Sequence, residues 1–166
     1  MKLIIPTVVI SFILDGIVSN FISLSTNYFS PLFSLVALVL IYPFFNKNNN
    51  SYLKTCALIG LLYDFVYTDT LILNLGLFFV SGLFIKFLSD IFTGNIINTT
   101  VWFVLVIIFY RVITYVILSM GGFVVFSPFI LFKSIYSSII LNVLYGVIVY
   151  MLLDYLAYYY KIKKRC

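Results

Sequence analysis

The sequence predicts an all-α integral membrane protein with six transmembrane helices and both termini in the cytoplasm. Hydrophobic residues make up 64% of the chain and charged ones 9%, with a mean hydropathy of +1.19. Such a composition cannot clothe a water-soluble surface. Long apolar runs alternate with short polar stretches, and Lys and Arg collect on alternate connections. At 166 residues the chain is expected to form a single polytopic domain, because several spans of about 20 residues use nearly all of it.

The runs fall at about 3–24, 31–45, 53–68, 71–89, 100–119 and 134–160, the second and third being short. In the first, Lys2 followed by LIIPTVVISFIL has the form of a signal peptide. Asp15 then follows without an A-x-A site, and apolar character returns through Ile17, Val18, Phe21, Ile22 and Leu24, so the segment is expected to be retained. KNNNSYLK (47–54) and TGNIINTT (93–100) read as loops by composition. GGFVVFSP (121–128), opened by two glycines and closed by Pro128, reads as an interfacial connection.

With six spans and an inner N-terminus, Lys2, Lys47, Lys54, Lys86, Lys161, Lys163, Lys164 and Arg165 lie inside, against Lys133 alone outside. Cytoplasmic loops collect positive charge, so this eight-to-one split supports both the orientation and an even number of spans. Tyr155, Tyr158, Tyr159 and Tyr160 precede the basic tail as an interfacial belt would.

The five acidic residues are all Asp, and there is no His, so histidine serves neither as base nor as metal ligand. Cys56 and Cys166 form neither a disulfide framework nor a CxxC site. No cofactor, metal, catalytic residue or nucleic-acid partner is expected; the lipid bilayer is.

Within the spans, Asp15, Asp64 and Arg111 fall between midplane and outer half at ~1.5 Å per residue. Intramembrane ions usually face the bundle interior and pair, so Arg111 is expected to meet Asp64 or Asp15. The competing reading is that either carboxylate meets water at the outer interface. Small and polar residues recur every four positions: Ser11, Asp15, Ser19 and Ser23; Cys56, Gly60 and Asp64; Ser134, Ser138, Asn142 and Gly146. Residues four apart share a helix face, where small ones let backbones approach closely. Helix packing is the first reading of these stripes, and a substrate path or proton relay the second.

Gly60, Leu61, Leu62 and Asp64, followed by Leu71 and Asn74, resemble the GLLxDLL…LGxNAL signature of the rod shape-determining protein MreD family. Thr68 and Ile72 stand where that family has glycines. The resemblance implies a non-enzymatic, multi-pass scaffold of the bacterial inner membrane, acting in peptidoglycan synthesis and cell shape. Its implied partners are MreC, the MreB filament, RodA and a penicillin-binding transpeptidase. It further implies that Asp64 and Asn74 hold the third and fourth spans around an outer turn at Asp69 and Thr70.

The alternative is the substrate-binding component of an energy-coupling-factor vitamin transporter, to which the MreD family is similar in fold. Such components resemble one another in an A-x-x-x-A pattern in the first span. The alanines here are Ala37, Ala57 and Ala157, none of them in that span.

Overall fold

A computed structural model describes residues 3–21, 31–45, 50–68, 72–89, 96–124 and 127–161, and every element in them is helical. The helices are α1 (Ile4–Phe21), α2 (Phe33–Ile41), α3 (Ser51–Tyr67), α4 (Leu73–Leu88), α5 (Ile96–Met120) and α6 (Pro128–Tyr159). A 3₁₀ turn, Tyr42–Phe44, continues α2.

Three helices, α1, α5 and α6, are long and apolar enough to cross a membrane. Helices suit that setting because each satisfies its own backbone hydrogen bonds. The 32 residues of α6 extend ~48 Å, well beyond the ~30 Å of a hydrocarbon core.

Two expected loops are shorter than composition indicated. Ile96–Thr100 is already helical in α5, with the Thr100 hydroxyl folded onto the Ile96 carbonyl at 2.9 Å. Pro128, expected to close a connection, is instead the first residue of α6, where its fixed φ and missing N–H cost nothing. Lys133 consequently lies on α6, exposed, rather than in a loop. The turn at Asp69 and Thr70, together with Ser23 and Leu71, lies outside the described residues.

The fold is organised around α2. All nine of its residues are buried, with Leu35, Ala37, Leu38 and Ile41 fully enclosed. It packs against α1, α4, α5 and α6, and α3 reaches it where the Tyr52 hydroxyl donates to the Leu38 carbonyl at 3.1 Å. A helix buried on every side has no polar face to show, which is why FSLVALVLI has no helical periodicity. Around it α3 pairs with α4 and α5 with α6 as antiparallel hairpins. The outer faces are apolar: Ile5, Val9, Ile13 and Ile17 on α1, and Phe132, Tyr136, Ile140, Leu144 and Ile148 on α6, are exposed at helical spacing.

Candidate functional site

The start of a helix carries amide groups without intrahelical partners, and inside a membrane no water is at hand to take them. At the start of α2 these amides are met from two other helices. The Phe33 N–H donates to Asp15 Oδ1 at 2.7 Å and the Ser34 N–H to Asp15 Oδ2 at 2.8 Å. The preceding amide, Leu32 N–H, donates to Asn142 Oδ1 on α6 at 2.7 Å. Asp15 is 1% exposed and Asn142 fully buried, so both side chains are committed to this cap.

The start of α4 is capped in the same manner by Asp64 of α3. The Asn74 N–H donates to Oδ1 at 3.0 Å and the Leu75 N–H to Oδ2 at 2.9 Å. The Asn74 side-chain amide donates both to Asp64 Oδ1 and to the Thr68 hydroxyl, each at 3.0 Å. In each cap a carboxylate opposes the positive end of a helix dipole.

Gly60, one turn below Asp64, makes the second cap possible. A Cβ there would sit 2.7 Å from Leu75 Cα and closer still to the Asn74 carbonyl, both of them backbone. Gly146 does the same for α6, where a Cβ would meet the Phe103 ring at 2.7 Å and Val36 Cγ1 at 2.9 Å. Cys56 and Gly82 touch across the α3–α4 hairpin, which brings the Cys56, Gly60 and Asp64 stripe wholly into the interior.

A chain of polar contacts joins the caps. The Tyr110 hydroxyl on α5 donates to Asn74 Oδ1 at 3.2 Å. The next residue, Arg111, donates through Nε to the Ser138 hydroxyl on α6 at 2.7 Å. One turn on, Asn142 Nδ2 donates to the Ser138 carbonyl at 2.6 Å while its oxygen holds α2. Asp64, Asn74, Tyr110, Arg111, Ser138, Asn142 and Asp15 thus form one seam that passes through all six helices. Chemically it is an architecture of acceptors placed on helix amides.

Of the predicted site residues, Asp15, Asp64, Asn74, Arg111, Asn142 and Ser138 come together in this seam. Gly60 and Gly146 flank it at close helix contacts. Ser134 is half-buried, and its hydroxyl turns back onto the Leu131 carbonyl of its own helix at 2.8 Å. On α1 the stripe read in the sequence is buried at Ser11 and Asp15 and continues toward the N-terminus through Thr7, whereas Ser19 is exposed. Two seam partners were missed, Tyr110 and, beside the first cap, Tyr145, which shares a 2.6 Å hydrogen bond with Ser11 and packs its ring 4.3 Å from that of Phe33. The available signal was a tyrosine well inside an apolar run, since a buried phenol usually finds a partner.

Comparison with protein-family models matches residues 1–156 to MreD, rod shape-determining protein MreD. The chain belongs to the MreD family. The match takes in nearly the whole chain, including both caps and the seam between them. Membership supports a role in rod-shape determination, in a protein of membrane-type apolar helices. Neither the curated proteins nor the solved structures give a significant match.

Proposed function

We propose that this MreD-family chain is a non-enzymatic scaffold of the cell-wall elongation complex, set in the bacterial inner membrane with six spans and both termini cytoplasmic. Its partners in this reading are MreC, the MreB filament, RodA and a penicillin-binding transpeptidase. One observation carries the reading: the buried carboxylates spend their oxygens on the amides that start α2 and α4. Groups used in this way fix the shape of a bundle, and a fixed shape is what a scaffold offers its partners. Arg111, one residue along from Tyr110, balances a carboxylate of the seam.

The eight-to-one distribution of cations supports the topology. A reporter active only outside the cytoplasm is expected to be silent after Arg165 and active near Asp69; activity at the first position overturns six spans. Depletion from a native host that elongates is expected to give wide, rounded cells, with MreC and wall synthases copurifying in mild detergent. Unchanged shape with a new vitamin requirement, and recovery of paired ATPases, would replace the scaffold by the transport reading.

A further inference from the structure

The bundle is taller on one side than on the other. α3 and α4 have 17 and 16 residues, whereas α5 and α6 have 25 and 32. The hydrogen bonds of the seam set the register between the two pairs. α4 starts beside Tyr110 of α5, whose hydroxyl meets Asn74, and α5 runs on from there to Met120, a further ~15 Å. α6 carries the same excess, since Pro128 stands ~15 Å before Ser138, the partner of Arg111. At the opposite end the two hairpins finish together: Lys86 lies ~18 Å below Asn74, a depth that α5 reaches at Asn98, in its own first turn. The difference in height therefore falls on the side where α2 and α4 begin.

The outward apolar faces differ in the same way. On α3, Leu58, Leu62, Phe65 and Val66 are exposed and lie within ~100° of one another, and on α4, Phe79, Val80, Leu83 and Phe87 do likewise. Lys54 and Lys86 bound these faces at one end, and the Asp64 cap, with Thr68 and Asn74, bounds them at the other. From Lys54 to Tyr67, and from Leu73 to Lys86, the rise is only ~20 Å. The exposed face of α6 runs through Tyr136, Ile140, Leu144, Ile148 and Met151, and its bounding charges, Lys133 and Asp154, stand ~30 Å apart. A hydrocarbon core of ~30 Å fits the second face and overtops the first by about 10 Å. Tilt shortens the projection of a helix, so it deepens the shortfall. Snorkelling relieves only the lysine end, because the carboxylate at the other end is buried and spent on amides. A short apolar stretch is then met by thinning of the bilayer around it.

We propose that the α3–α4 face gathers phospholipids with short acyl chains and draws the outer leaflet down to the Asp64 cap, while the α6 face keeps that leaflet at full thickness. The proposal rests on the six-span membrane reading above and is independent of the elongation partners.

The test places one reporter tryptophan on each face, L62W or L144W, in full-length chain carrying W102F to remove the native indole. Each variant is reconstituted in phosphatidylcholine vesicles where dimyristoleoyl and dierucoyl chains compete and one of the two is brominated. Quenching is normalised to vesicles of that brominated lipid alone. The expected result is that L62W reports the short-chain lipid enriched about twofold or more, whereas L144W reports no enrichment of it. F65W and I148W, on the same two faces, repeat the reading, and a thermal melt checks that each variant is folded. Equal quenching of L62W by the two lipids overturns the thinning and leaves six spans standing, as does the same short-chain preference on both faces. Absence of quenching at L62W and F65W by either lipid overturns the proposal together with the six-span reading, since that face would then lie outside the bilayer or beneath another protein.

Discussion

The two caps use the same chemistry and differ in how far they reach. Asp64 finds its amides ten and eleven residues onward, and its helpers Thr68 and Asn74 belong to the same hairpin. Asp15 reaches 18 and 19 residues to α2, and the third amide of that cap waits for Asn142, 110 residues away. One hairpin therefore carries its own cap, and the other receives one from tertiary assembly. The difference separates a local module, α3–α4, from a central helix that exists only within the finished bundle.

Substituting Asp15 by Leu should have the largest effect. Two enclosed amides then lose their acceptor, at about 1–3 kcal/mol each, where neither water nor headgroups replace it. Asp64→Leu strips more donors yet should cost less, because Thr68 and Leu75 are only half-buried and solvent reaches that hairpin end. Melting temperatures in one detergent compare the two; a greater loss for Asp64→Leu would invert the ranking of local and assembled caps.

Gly60→Ala comes next, at about 1–3 kcal/mol, since its new methyl group strikes backbone that has nowhere to go. Gly146→Ala should lose less on the same thermal scale, because the Phe103 ring and Val36 methyl it meets, although buried, are side chains rather than backbone. Equal losses would mean that α6 is held as rigidly as the hairpin.

The seam itself is tested by a double-mutant cycle of Asp64→Asn with Arg111→Met, set beside Asp15→Asn with Arg111→Met. A charge balanced across the seam should leave coupling of about 0.5–3 kcal/mol in one cycle, read from the melts. Additivity in both would detach Arg111 from either cap. Thr68→Ala should be mildest, about 1 kcal/mol or less, because Asp64 keeps its amide donors and Thr68 reaches it at 3.3 Å. A loss as large as that of Asp64→Leu would make Thr68 a member of the cap in its own right.

What the sequence disclosed follows the same division. Gly60, Asp64 and Asn74 were readable because their contacts are close along the chain and recur as a motif. The membrane class and helix count were readable from hydropathy, which needs no tertiary knowledge. The cap on α2 was not, because nothing in Asp15 or Asn142 names a partner 18 or 110 residues off. The central place of α2 was hidden too: a run apolar on all sides reads equally as a lipid-facing span or an enclosed core helix. Pro128 misled because proline ends helices and also opens them.

The span from Leu32 to Asn142 also sets a clock on biogenesis. At roughly 5–20 residues per second, a ribosome needs about 5–20 s to make the stretch that separates that amide from its acceptor. Throughout that interval α2, nine residues long, has α1 and the Asp15 acceptors beside it but lacks both the acceptor for Leu32 and the α6 face that encloses it. The α3–α4 hairpin, whose cap is complete soon after it is synthesised, can form meanwhile. Maturation of this protein is therefore ordered in time, with the innermost helix among the last to settle and α6 as the piece that closes over it.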